Sequence, residues 1–143
     1  TLGAFACILS MRRKEGMVEE ISDLAGLWKT NRPMAVLLGM IMFSLAGIPP
    51  FVGFFAKFYV FLAAVQAELY PLAVIGVLAS VVGAFYYLRV VKVMFFDEPT
   101  RAFLPMPAEL KFTLAVSSAF VLLFVFFAGS ITEMAQAAAG TLF

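Results

Sequence analysis

Residues 33–66 form an apolar segment in which Lys57 is the only charged residue. As one continuous helix this segment would be about 50 Å long, whereas the hydrocarbon core of a bilayer is only about 30 Å thick. Its middle contains Gly47, Pro49 and Pro50, which are residues that interrupt helices. The segment therefore needs an apolar environment, and its helix must break near the middle.

The composition extends this constraint to the whole chain. Of its 143 residues, 64% are hydrophobic and 13% are charged, against roughly 45–50% and about 25% in soluble domains. The apolar residues lie in long runs, which predicts an all-α integral membrane helical bundle. A net charge of +1 excludes a strongly basic nucleic-acid-binding surface. One cysteine and no histidine give no support for a metal or cofactor site.

The apolar runs predict the end of one transmembrane helix, one discontinuous helix broken at residues 47–50, and two further transmembrane helices. These segments are residues 1–9, 34–66, 72–94 and 112–131. Because the first is too short to cross a bilayer, we expect its helix to begin upstream and the chain to be a C-terminal fragment. The polar loops are residues 10–33, with a short amphipathic helix in the membrane interface, and residues 97–110.

The positions of Lys and Arg predict the orientation of these segments. Both polar loops contain or adjoin several basic residues, whereas the turn at Glu68 and the C-terminal tail contain no Lys or Arg. Cytoplasmic loops of membrane proteins carry an excess of Lys and Arg. We therefore expect a multi-pass membrane protein with both basic loops on the cytoplasmic side and the C-terminus on the outer side.

The two prolines predict which backbone hydrogen bonds are lost. Pro49 and Pro50 have no amide hydrogen, so a continuous helix would leave the carbonyls of Leu45 and Ala46 without donors. Gly47 can end the first half-helix because it tolerates a positive φ angle. Irregular backbone at membrane depth persists only inside protein or beside a water-filled cavity. A simple kink is the alternative interpretation.

Lys57 is the candidate functional residue. It lies eleven residues before Glu68 and about 16 Å from the outer end of its half-helix, which predicts an amine buried near the bilayer centre. We interpret Lys57 as a proton relay, with the positive end of the second half-helix favouring the neutral amine. The alternative is a structural ion pair with a neighbouring carboxylate. Ser44 and Tyr59 are weaker candidates. A serine hydroxyl commonly bonds within its own helix, and Tyr59, two residues from Lys57, lies on another helix face.

The sequence SLAGIPPFVGFFAKFYVF, residues 44–61, resembles the broken-helix motif of the antiporter-like subunits of respiratory complex I. The flanking sequences DLAGLWKTNRPMA and FYYLRVVKVMFFDEP are similar to the branch of that family homologous to mitochondrial subunit 2. The resemblance covers most of residues 1–99. The lysine motif is shared with multisubunit cation/proton antiporters, which stay an alternative, as does a structural membrane anchor.

The resemblance implies a part in a redox-driven proton pump of the bacterial inner membrane, with the C-terminus in the periplasm. The family's lysine in its second broken helix falls on Lys57 and is assigned to the proton path toward the outer side. NADH, flavin, iron–sulfur clusters and quinone would be bound by other subunits, so this chain would hold no cofactor and perform no redox chemistry by itself. Its implied partners are the other membrane-arm subunits, the lipid bilayer, protons and internal water, with no nucleic acid.

Overall fold

The computed structural model describes residues 2–10, 12–13, 16–17, 20–99 and 107–140. Its six α-helices are α1 Leu2–Ser10, α2 Leu27–Thr30, α3 Arg32–Ala46, α4 Val52–Gln66, α5 Tyr70–Phe96 and α6 Ala108–Gly140. Between α1 and α2 lie a short antiparallel pair of strands, β1 Arg12–Arg13 and β2 Gly16–Met17, and a 3₁₀ helix, Ile21–Leu24. The predicted all-α helical bundle, including a helix that is interrupted near its middle, is confirmed.

Helix α3 lies at the centre of the described residues. It contacts α1, α2, α4, α5 and α6, and eight of its fifteen residues are buried. Helix α4 has no buried residue and packs on α3, α5 and α6 from the outside. The main cluster of buried side chains is Ala4, Cys7, Leu24, Leu27, Met34, Ala35, Leu38, Ile41, Met42, Val91, Met94 and Leu114. Five residues of α3 and none of α4 belong to this core.

The segment before α3 contains two short helical pieces where the sequence predicts one amphipathic helix. Gly26 separates them in a left-handed conformation, with φ of 65°. Its N–H donates to the carbonyl of Val93 at 3.2 Å. The ring of Trp28 stacks on Phe95 with centroids 5.3 Å apart, and the Arg32 guanidinium lies 5.5 Å from the Trp28 ring centroid. These contacts hold the segment against the end of α5.

Helix α5 is the one helix, among the described residues, that is long and apolar enough to cross a membrane alone. Helix α6 adds a second if Ala108–Phe124 and Gly129–Gly140, which are bent by 86° relative to each other, form one span. That bend lies inside residues 112–131, where the sequence predicts one transmembrane helix. Of the 27 residues of α5, only Ala73, Val91 and Met94 are buried. Most of its apolar surface is therefore available to lipid or to other helices.

Candidate functional site

Helix α3 ends in a glycine-dependent cap. Gly47 has φ of 87°, its N–H donates to the carbonyl of Ser44 at 3.0 Å, and the N–H of Ile48 donates to the carbonyl of Phe43 at 3.1 Å. This is the Schellman arrangement, in which a left-handed glycine turns the chain out of the helix. The residues that follow, 47–51, form the connector to α4. The last two carbonyls of α3 receive no backbone donor from this cap.

Lys57 supplies the missing donor. Its Nζ donates to the carbonyl oxygens of Leu45 and Ala46, each at 3.0 Å. These are the two carbonyls that Pro49 and Pro50 are predicted to leave without donors. The side chain reaches them because Lys57 lies in the second turn of α4 and long helical side chains lean toward the N-terminus of their own helix. A side chain of one half-helix thus caps the end of the other.

The electrostatic environment of Lys57 differs from the one that the sequence predicts. The sequence places the positive N-terminal end of the second half-helix nearest to the amine. The structure instead brings the amine into hydrogen-bond contact with the C-terminal end of α3, which carries a negative partial charge. This contact stabilises the charged ammonium.

Lys57 is also less enclosed than predicted. The sequence predicts a buried amine, whereas the structure leaves Lys57 half-buried. Lys57 borders a cavity of about 720 Å³ between α1, α3, α4 and α6, whose polar side chains are those of Ser44, Lys57 and Ser117. The other lining side chains are apolar. A cavity of this size has room for water beside the amine.

Ser44 connects the two half-helices in the opposite direction. The sequence predicts that its hydroxyl bonds within α3, but its Oγ accepts the N–H of Gly53 at 3.2 Å. Gly53 lies in the first turn of α4, where N–H groups have no partner within the helix. Phe51, the residue before α4, provides no side-chain cap. Ser44 therefore caps α4, while Lys57 caps α3.

Two glycines permit this close approach. A side chain at Gly47 would bring its Cβ within 3.0 Å of Cδ and 3.3 Å of Nζ of Lys57. A side chain at Gly53 would overlap the backbone oxygen of Ser44. The signal for this contact is present in the sequence as a glycine three residues after Pro50. It cannot be interpreted without the angle between α3 and α4.

The remaining candidate residues lie at the surface of the described part of the chain. Pro49 and Pro50 are exposed, and the peptide bond between them is cis. Tyr59 is also exposed and contacts the ring of Phe58 edge-on, with centroids 5.6 Å apart. Among the described residues, Lys57 forms no ion pair with a carboxylate. In that part of the chain there is also no group of three or more His, Cys, Asp or Glu side chains arranged to hold a metal.

Comparison with known proteins identifies the family. Residues 1–83 match the family described as NADH:quinone oxidoreductase/Mrp antiporter, transmembrane. The chain belongs to this family of membrane-embedded, antiporter-like subunits, which confirms the resemblance noted in the sequence. Within the family, it is similar to proteins named NADH-quinone oxidoreductase subunit N.

Two of these relatives show how far the similarity extends. The protein of Parvibaculum lavamentivorans is 60% identical over 95% of this chain and 28% of its own length. Subunit N 1 of Rhizobium meliloti is 59% identical over all of this chain and 30% of its own length. A chain of respiratory complex I from Thermus thermophilus matches 89% of this structure, and 29% of that chain, with a TM-score of 0.75 and 26% identity. The chain thus spans less than a third of the length of these relatives.

Proposed function

We propose that this chain is part of a membrane-arm subunit of a bacterial NADH–quinone oxidoreductase and that Lys57 relays protons across the inner membrane. One observation carries the proposal. The Lys57 amine lies at 3.0 Å from two carbonyls at the end of a broken helix and borders a cavity that has room for water. Ionisable groups at helix breaks inside membranes are typical of ion and proton pathways.

The relay depends on the C-terminal end of α3 and the N-terminal end of α4, which meet at the connector. A charged amine is stabilised by the negative end of α3, because hydrogen bonds from a charged donor are roughly twice as strong as neutral ones. An approaching positive charge, or a displacement of α4, weakens this stabilisation and lets the amine give a proton to water in the cavity. Return of the amine to the carbonyls of Leu45 and Ala46 favours the uptake of the next proton.

The placement in the membrane follows from the basic loops. Residues 10–33 and 97–110 face the cytoplasm, and the turn at Glu68 and the C-terminus face the periplasm. Residues 34–66 form the broken transmembrane helix between them. The exposed apolar side chains of α5 and α6 are available to lipid and to neighbouring membrane-arm subunits. NADH, flavin, iron–sulfur clusters and quinone are bound by other subunits of the complex.

The test is a Lys57→Met substitution in the full-length subunit of the assembled complex, reconstituted into sealed vesicles. We expect NADH oxidation to become uncoupled or slowed, with fewer protons pumped per NADH oxidised, because methionine fills the space of lysine without a proton to exchange. Lys57→Arg keeps a permanent charge and is expected to pump poorly as well. Lys29→Met, at an exposed lysine of α2, is the matched control.

Three outcomes separate the proposed relay from the alternatives. A Lys57→Met complex that assembles fully and pumps like the wild type contradicts the relay. Failure of the complex to assemble, with Lys29→Met assembling normally, supports a structural anchor. Purification of the subunit with cation/proton antiporter subunits and without NADH oxidation activity supports the antiporter.

A further inference from the structure

We propose that Ser44 is a positioning residue for Lys57: its hydroxyl fixes the first turn of α4 against the last turn of α3, so that the amine meets both free carbonyls. This inference rests on the proposed relay by Lys57. Ser44 itself neither gives nor takes the transported proton in this proposal. Its role is to set where the relaying amine lies.

The Ser44 hydroxyl has the position and burial that this role requires. Ser44 is 5% exposed, and its Oγ accepts the N–H of Gly53 at 3.2 Å. It is the side chain that caps the N–H of Gly53, since Phe51 provides no cap for α4. The bond joins the two half-helices directly.

The spacing of the residues relates this bond to the amine. Gly53 and Lys57 are four residues apart in α4, so they lie on the same face of that helix. Ser44 directly precedes Leu45 and Ala46 in α3. A contact between Ser44 and Gly53 therefore turns the face of α4 that carries Lys57 toward the end of α3. Without it, α4 can rotate or move away, because none of its residues is buried.

The test compares three serine variants in the full-length subunit of the assembled complex. Ser44→Ala removes the acceptor, and Ser44→Thr keeps it and places one methyl group next to the cavity that Ser44 borders. Ser118→Ala is the matched control, because Ser118 is also buried, at 1% exposure, but its hydroxyl has no hydrogen-bond partner among the described residues. Two quantities are measured for each variant: protons pumped per NADH oxidised, and the Nζ-to-carbonyl distances in the structure of the complex.

For Ser44→Ala we expect at least one Nζ-to-carbonyl distance to increase from 3.0 Å to beyond about 3.5 Å, the limit for a hydrogen bond. The population with the amine on both carbonyls should fall about fivefold, the factor that corresponds to the loss of a typical N-cap. Pumping should then lie between the wild type and Lys57→Met. Ser44→Thr should restore pumping, and Ser118→Ala should leave pumping and both distances unchanged.

The outcomes separate this inference from the relay itself. If Lys57→Met lowers pumping but Ser44→Ala leaves both distances at their wild-type values, the relay stands and the positioning role is wrong. That holds even if Ser44→Ala lowers pumping, because the serine then acts by another route. If Lys57→Met pumps like the wild type, the relay is wrong, and the positioning of the amine stands or falls on the measured distances alone.

Discussion

Two turns in this chain contain a left-handed glycine, and the bonds that join each turn to a neighbouring helix are of different kinds. At Gly26, where φ is 65°, the glycine's own N–H donates to the backbone carbonyl of Val93. At Gly47, where φ is 87°, the free carbonyls accept from the side chain of Lys57. The first bond joins two groups that never change charge. The second involves an ionisable amine, so a turn with a left-handed glycine is a permanent joint in one place and meets an ionisable side chain in the other.

Gly26→Ala should have the largest effect. It should lower stability and leave pumping unchanged. The new Cβ would overlap the backbone of Pro99, and alanine is disfavoured at positive φ. We expect a loss of about 2–4 kcal/mol in stability, measured as a lower unfolding temperature of the purified complex. Gly83→Ala is the control, because its Cβ would meet only Tyr87 at an ordinary 3.9 Å. An unchanged unfolding temperature for Gly26→Ala would contradict the permanent joint.

Gly47→Ala should have a smaller effect on stability and a larger one on pumping. The positive φ costs about 1–2 kcal/mol for alanine, and the added Cβ presses on the Lys57 side chain at 3.0 Å. We expect fewer protons pumped per NADH oxidised in complexes that assemble normally. Gly47→Asn is the comparison for strain, since asparagine tolerates positive φ better than alanine. Pumping at the wild-type level in Gly47→Ala would show that the Gly47 turn, like the Gly26 turn, does not affect pumping.

Arg32→Ala tests whether the contacts near the Gly26 turn contribute to stability alone. The guanidinium lies over the ring of Trp28, which stacks on Phe95, and such a cation–π contact contributes about 0.5–1 kcal/mol. We expect a slightly lower unfolding temperature and an unchanged proton-to-NADH ratio. Arg32→Lys should retain part of the stabilisation. A fall in the proton-to-NADH ratio would indicate that this region takes part in transport.

Lys92→Ala should have the smallest effect. Lys92 lies 4.0 Å from Asp97 with its side chain 71% exposed, and ion pairs of this kind contribute about 0.5 kcal/mol or less. We expect no measurable change in unfolding temperature or pumping. The variant thus serves as a control for the loss of an exposed lysine. A clear pumping defect in it would show that a pumping defect in a Lys57 variant does not report on the relay alone.

The local consequences of the prolines could be predicted from the sequence, because they depend on backbone chemistry within a few residues. A proline removes one specific donor, so the carbonyls of Leu45 and Ala46 follow from Pro49 and Pro50 by counting. The end of α3 at Gly47 follows from the freedom of glycine at positive φ.

The groups that meet across the connector could not be predicted in the same way. The bonds of Lys57 to α3 and of Ser44 to Gly53 depend on the angle at which α3 and α4 approach each other, and that angle is set by tertiary packing. The same limit applies before α3. The spacing of apolar residues predicts a single amphipathic helix, but Gly26 divides it because its turn packs against Val93 and Pro99.

The hydrogen bonds of Lys57 join α4 to α3, so a movement of one helix relative to the other changes their length. The amine belongs to α4, and its acceptors belong to α3. Sliding α4 by about 1 Å would stretch a 3.0 Å bond past the range of hydrogen bonding and deprive the charge of its partners. In the proposed relay, this pair of helices would act as a transducer that converts a displacement of α4 along the membrane into the release of one proton.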